Sequence, residues 1–351
     1  MKPSASAAIK AALRNYEPTA EQWEAITDPL EPVVIRAGAG SGKTAVMTAR
    51  IVHLVETNQV RAAGVLGLTF TNKAAAELEE RLNEALAAMQ PRPHEHPTVM
   101  TYHSFAQSLV REHGPRIGVD PDTGLLSNAQ KWQILLSMID ELDELSEVEL
   151  RHPLSYIPQT LELSDQCATH LVEPEDLQKE CERLLGEDLG DDYAIEATKK
   201  RKDFAKIIRL YRDRKRRLRR IDYGDQIRLA VEILSKHPDV VAELRERFPV
   251  VLLDEYQDTD PAQKVMLRLL CPDGAAVTAV GDARQAIYAW RGASMFNLIN
   301  FHREFPRDDG SDAHQATLSE NFRSGRKIVE LANRVIEKVP EEHRPGEDLV
   351  P

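Results

Sequence analysis

Eight residues, Ala37, Gly38, Ala39, Gly40, Ser41, Gly42, Lys43 and Thr44, spell AGAGSGKT and form the stretch of this chain best suited to phosphate chemistry. Glycines let successive backbone N–H groups converge on phosphate oxygens, and a helix that follows presents its positive end to the same charge. In such a loop Lys43 reaches the β- and γ-phosphates and the Thr44 hydroxyl binds Mg²⁺. The strict form of the pattern begins with Gly, where this chain has Ala37. A second candidate group is the carboxylate pair Asp254 and Glu255, directly after the apolar run Val250 to Leu253. Placed beside a triphosphate, Asp254 would hold the metal, commonly through water, and Glu255 would orient and deprotonate the attacking water.

These groups need a sheet to bring them together. Val33, Val34 and Ile35 predict a strand feeding the loop, and AVMTARIVHLV predicts the helix after it. Apolar runs at 33 to 35, 65 to 70 and 97 to 101 alternate with helical patterns from 16 to about 113, as in an α/β parallel sheet flanked by helices. From 114 to 220 strand signals vanish, which predicts an inserted all-helical domain. The α/β pattern resumes over 221–315 with strands at 250 to 253 and 276 to 280, whose ends are where ligands bind in such sheets. A strand, turn and helix then open a new segment over 316–351.

The net charge is −12, yet residues 199 to 220 hold thirteen Lys or Arg against Asp203 and Asp213, a net of +11 that leaves −23 for the rest. Phe204, Ile207, Ile208, Tyr211 and Leu218 follow helical spacing in that segment, so one narrow stripe is expected to pack inward. Two readings of its arginines stay open: contacts to nucleic-acid phosphates, or a solvated helix offset by nearby acids such as those at 140 to 149.

With 351 residues and 42% hydrophobic content, the chain can bury two or three ordinary cores. No run of 18 apolar residues exists, and MKPSASAAIKAAL lacks the pattern of a signal peptide, so a cytoplasmic protein without membrane attachment is expected. Cys167, Cys181 and Cys271 show no CxxC spacing and read as buried, inert thiols. His94 and His96 in RPHEHP read as part of a proline-flanked loop rather than as metal ligands.

Seven blocks in order give the chain its resemblance to the N-terminal part of a superfamily 1 DNA helicase of the UvrD/Rep/PcrA type. They are TAEQWEAI (19–26), AGAGSGKT (37–44), LTFTNKAAAELEERL (68–82), TYHSF (101–105), LLDEYQDTDPAQ (252–263), VGDARQAIYAWRGA (280–293) and LSENFRSGRKI (318–328). The resemblance implies a recA-like first motor domain split into 1–113 and 221–315, a helical accessory domain at 114–220 and the start of a second motor domain at 316–351. It implies ATP and Mg²⁺ as cofactors, and single-stranded DNA with its junctions to duplex as partner, with other repair proteins in support.

By the same resemblance Gln22 reads adenine, Gln285 senses the γ-phosphate, and Arg323 neutralises charge on the transferred phosphoryl group. Phe70, Thr71, Asn72, Tyr102, His103, Tyr288, Trp290 and Arg291 match DNA-facing positions, and Thr69 could also donate to a phosphate. The chain departs from the family in Ala45, where many members carry an Arg against the adenine, and in Phe322, where the family has Tyr. A thinner adenine sandwich, with Phe322 on one face, is the expected result. The implied activity is ATP-dependent 3′ to 5′ translocation on single-stranded DNA with duplex unwinding, in repair or recombination. The 351 residues alone are expected to turn over slowly, because the second motor domain supplies a further arginine. Two alternatives stand beside this: the motor part of a RecB/AddA-like helicase-nuclease, and a non-catalytic ATP- and DNA-binding module.

Overall fold

In the computed structural model the described residues are 5–89, 95–142, 145, 147–148, 153–339 and 349–350. His94 and several of the acids at 140 to 149 lie outside them. The apolar runs become strands β1 (Val33–Ala37), β2 (Val65–Thr69) and β3 (Thr98–Thr101), and later β6 (Val250–Leu253), β7 (Ala276–Gly281) and β8 (His314–Leu318). Between them lie two minimal strands, β4 (Gly124–Leu125) and β5 (Arg220–Ile221), which pair with each other in parallel. The segment expected to be purely helical therefore carries a two-residue ladder at its margins, too short for any periodic signal.

The six longer strands form one sheet in the order β3-β2-β6-β7-β1-β8, and every neighbouring pair is parallel. Parallel strands covered on both faces read as continuous apolar runs rather than alternating ones; every residue of β2 and β6 is buried. β8 crosses the boundary drawn at 316: Leu318 is in register with Ala37, so residues 316–318 belong to the first sheet and not to a new domain.

Helices close the sheet. Lys43–Glu56 buries Val46, Met47, Ile51, Val52 and Leu54, and Asn72–Ala87 buries Leu78, Leu82 and Leu86 at four-residue spacing. Each such side chain contributes about 1.5–3 kcal/mol by leaving water. Arg50 is 1% exposed yet fully engaged: its guanidinium donates to the carbonyls of Ala25, Asp28 and Pro29 and to Thr278 Oγ1 at 2.8–3.2 Å. Burial lowers its pKa to about 10, which still leaves it charged.

The chain divides into two compact units, Met1–Phe105 with His237–Thr259 and Leu267–Pro351, and Ala106–Lys236 with Asp260–Met266. The sheet lies in the first. The second is built from helices Asn128–Ser137, Pro153–Thr169, Pro174–Leu185, Asp192–Arg217 and Tyr223–Lys236. It extends past residue 220 because Tyr223–Lys236 packs on Pro153–Thr169. Phe204, Ile207 and Tyr211 join Leu135, Tyr156 and Ile157 in its core, and Ile208 is also buried. Leu218 departs from the expected stripe: it caps the helix and is half exposed, since the helix ends at Arg217.

Much of the basic segment is neutralised within this unit. Arg212 pairs with Glu173, Arg214 with Glu141, Lys202 with Glu182 and Arg219 with Asp120. Lys215 is buried between Asp222 and Asp225 at 2.6 and 2.5 Å. Burial opposes the Asp222 charge, but the Lys215 ammonium outweighs it and holds the carboxyl below its ordinary range. The three cysteines are buried free thiols, with Cys271 pushed up to about 12 by burial. Among the described residues no helix is long and apolar enough to cross a membrane.

Candidate nucleotide and nucleic-acid site

Because all six strands run the same way, their C-terminal ends share one edge of the sheet. The residues that follow those ends are Gly38, Phe70, Tyr102, Asp254, Asp282 and Ser319. Six of the seven sequence blocks are therefore delivered to one edge by strand ends, whereas TAEQWEAI lies on the helix Ala20–Thr27 ahead of β1.

Ala37 is the last residue of β1 and pairs with Leu318. An extended strand position asks nothing of glycine, which explains why the relaxed pattern is tolerated there. The loop proper is shaped by Gly40 and Gly42, whose φ values of +73° and +89° suit glycine. Gly42 is the N-cap of helix Lys43–Glu56, so Lys43 and Thr44 open that helix with their amides aimed outward. Gly38 N–H donates to Leu318 O at 3.2 Å, and Ser41 Oγ donates to Gly38 O at 2.9 Å.

Lys43 Nζ lies 3.3 Å from Glu255 Oε2, joining the loop to the end of β6. Asp254 Oδ1 accepts the Glu255 N–H at 3.1 Å, and burial, aided by the Glu255 charge, raises the Asp254 carboxyl to about 6. A buried carboxylate so disfavoured, with Thr44 at the adjoining helix start, fits a divalent cation as its missing counter-charge. Glu255 itself is held at φ +48°, a left-handed conformation costing about 1–2 kcal/mol for a residue with a Cβ. Asp258 is buried beside the pair and is likewise raised to about 6, chiefly by burial.

Gln257 went unnoticed in the sequence. It is 1% exposed; its Nε2 donates to Glu255 Oε2 at 2.9 Å and its Oε1 accepts the Asp282 N–H at 3.1 Å. Asp282 Oδ2 then accepts from Gln285 Nε2 at 2.6 Å. Only the position of Gln257 inside LLDEYQDTD could have marked it.

Gln22 is buried with its amide already engaged. Its Oε1 accepts the Thr19 N–H at 3.2 Å in a capping box, and its Nε2 donates to Ser41 O at 3.2 Å. The TxxQ spacing of residues 19–22 is the signature of that box, so Gln22 braces the phosphate loop here and must exchange partners to read a base. Phe322 is 60% exposed, and its N–H donates to Gly40 O at 2.9 Å, which sets the ring beside the loop. Asn321, also unmarked in the sequence, donates to Ala39 O and accepts from the Arg323 and Ser324 N–H groups at 3.0 and 2.7 Å. Arg323 is thereby brought against Gly40, where an added Cβ would lie 2.7 Å from the arginine's own.

The surface past β2 and β7 is aromatic. Phe70 and Tyr288 have ring centroids 4.7 Å apart, Tyr288 and Trp290 6.4 Å, and the Arg291 guanidinium sits 4.7 Å from the Trp290 centroid. Trp290 is 74% exposed. His103 flanks this group, and its pKa is lowered by burial and then by Arg291. Asn72 is exposed at the start of helix Asn72–Ala87, and Thr71 caps that helix through Ala74 N–H at 3.1 Å. Two expectations are corrected. Tyr102 is 1% exposed, because the turn from β3 into the next helix sends its ring inward, so it presents no face to a ligand. Thr69 is fully buried with its hydroxyl donating to Thr71 O at 3.1 Å, which removes it from the phosphate-donor set.

The profile of the UvrD/REP helicase N-terminal domain matches residues 18–306. The ATP-dependent DNA helicase PcrA of Leuconostoc citreum is 32% identical over 325 residues, covering 91% of this chain and 39% of that protein. The PcrA of Staphylococcus aureus is 30% identical, covering 95% and 42%, and that of Bacillus subtilis is 29% identical, covering 90% and 39%. This chain thus spans about two fifths of the length of these relatives.

Proposed function

This chain belongs to the UvrD/REP helicase family, and from that premise we propose that it is the ATP- and DNA-binding portion of a motor that moves 3′ to 5′ along single-stranded DNA and unwinds duplex in repair or recombination. Amides of residues 38–44 and Lys43 bind the phosphates of ATP, and Thr44 with Asp254 would hold Mg²⁺. When bound, the ion neutralises charge on the β- and γ-phosphate oxygens. Glu255 accepts the proton of the attacking water, while Gln285 and Arg323 face the transferred phosphoryl group. Phe322 stacks on the adenine, and Gln22 leaves Ser41 to pair with its edge. Thr71 and Asn72 meet the DNA backbone, with His103 beside them, and bases stack on Phe70, Tyr288 and Trp290 with Arg291 adding charge. Stacking suits a motor that steps over any sequence, since every base has a π-face.

One observation supports this reading above the others: the Lys43–Glu255 contact and the exposed aromatic group hang from the same sheet edge, joined through Gln257, Asp282 and Gln285. For the 351 residues alone we propose binding of both ligands with slow turnover, since the chain spans about two fifths of its relatives. The test is ATP turnover by the polypeptide that carries this chain, with and without oligo(dT). Stimulation by DNA that disappears in Lys43→Ala and Glu255→Gln supports the assignment. Turnover indifferent to DNA defeats it.

A further inference from the structure

Glu255 and the aromatic loop leave the sheet from adjacent strands, β6 and β7, with Leu253 in register with Ala279. One bridge from Glu255 toward that loop is a side chain that neither phosphate chemistry nor base stacking requires; beside it the Asp258 carboxylate accepts the backbone N–H of Ile287. Gln257 spends its amide donor on Glu255 Oε2, the same oxygen that Lys43 approaches, and its acceptor on the Asp282 backbone N–H. An amide suits both at once, because it carries a donor and an acceptor on separate atoms of one rigid plane. The fit is tight. A Cβ on Gly281 would lie 2.3 Å from Gln257 Oε1, so the last residue of β7 is compatible with this bridge only as glycine. The turn that carries Gln257 is fixed from below by Tyr256, whose ring meets Phe301 and Phe305 edge-on at 5.4 and 6.3 Å.

We propose that Gln257 is a positioning residue that couples the two ligands: it ties the orientation of Glu255 to the placement of Asp282, and through Asp282 to Gln285 and the loop ending in Trp290. The inference rests on the assignment of ATP and single-stranded DNA to this site. A shift of the loop on stacking with DNA moves the Asp282 N–H, draws Gln257 with it and changes the hydrogen bond that holds Glu255 Oε2. Energetic coupling between two sites is reciprocal, so it is measurable as binding, without turnover.

The experiment is a titration of the 351-residue chain with a fluorescent ATP analogue and Mg²⁺, with and without saturating oligo(dT). Coupling of ordinary strength would change nucleotide affinity by about 5- to 150-fold on addition of DNA. In Gln257→Met, which keeps the volume and loses both hydrogen bonds, that factor is expected to fall to within about twofold, while each ligand alone binds within about threefold of wild type. Gln257→Glu retains the acceptor for Asp282 and replaces the donor by a like charge against Glu255; it too is expected to lose the coupling, and it serves if the methionine variant fails to fold. Gly281→Ala should reproduce the loss by displacing an intact Gln257. A chain that binds neither nucleotide nor oligo(dT) overturns the assignment and the inference together, whereas a wild-type chain that binds both without any coupling overturns the inference. A wild-type response that survives in both Gln257 variants overturns the inference alone.

Discussion

Replacing Asp254 by Asn should stabilise the ligand-free protein at neutral pH. The Asp254 carboxyl is 6% exposed and is raised from 3.8 to about 6, first by burial and then by Glu255. A folded-state pKa above the unfolded value means that the native state binds the extra proton between about pH 4 and pH 6, so stability falls as pH rises through that window. At about 1.4 kcal/mol per unit, the ionised carboxylate costs about 3 kcal/mol at pH 8. Asn keeps the acceptor that receives the Glu255 N–H at 3.1 Å and removes the charge. Urea unfolding without Mg²⁺ should therefore show Asp254→Asn more stable by about 1–3 kcal/mol at pH 8, and equal to wild type near pH 4. Addition of Mg²⁺ and ATP should reverse the order, since the carboxylate then meets its counter-ion. A variant less stable than wild type at pH 8, or a difference that does not change with pH, would refute the reasoning.

Trp290→Ala should weaken single-stranded DNA binding by about 5- to 150-fold in a fluorescence anisotropy titration, the worth of one stacked base, with nucleotide affinity in the absence of DNA little changed. Gly40→Ala places a Cβ 2.7 Å from that of Arg323 and 2.9 Å from Asn321 Nδ2 at a φ of +73°; nucleotide binding measured by calorimetry should be lost while the circular dichroism spectrum is retained. Lys215→Met strands Asp222 and Asp225 in the core of the helical unit and should cost about 3–5 kcal/mol in denaturant unfolding. Because the Asp222 pKa is depressed, the wild-type pair's contribution should persist at neutral pH and fade only as pH falls below the ordinary carboxylate range.

How much of this was legible beforehand depended on whether a residue's role is local. Strands β1, β2, β6 and β7 were readable because a parallel sheet covered on both faces favours apolar runs over alternation, most plainly in the VVLL of β6. The phosphate loop was readable because its glycines and Lys43 act within eight residues. Gln257 was not, since its partner Asp282 is 25 residues away and becomes a neighbour only through the β6–β7 pairing. Tyr102 and Phe70 look alike in sequence, each directly after a strand; which ring turns inward is decided by the helix that follows. Gln22 carried two legible roles at once, a capping-box position and a base reader, and the structure displays the first. Leu218 obeyed helical spacing but lay one residue past the helix, where spacing no longer governs burial.

The central claim is that one sheet edge holds both ligands, nucleotide at residues 38–44 and single-stranded DNA on the loop ending at Trp290. Amide hydrogen exchange of the 351-residue chain tests it in a single measurement. ATP with Mg²⁺ should protect residues 38–45 and 254–258, and oligo(dT) should protect 70–74 and 286–292. Protection by oligo(dT) confined to the basic helix Asp192–Arg217, with 286–292 unchanged, would contradict the account.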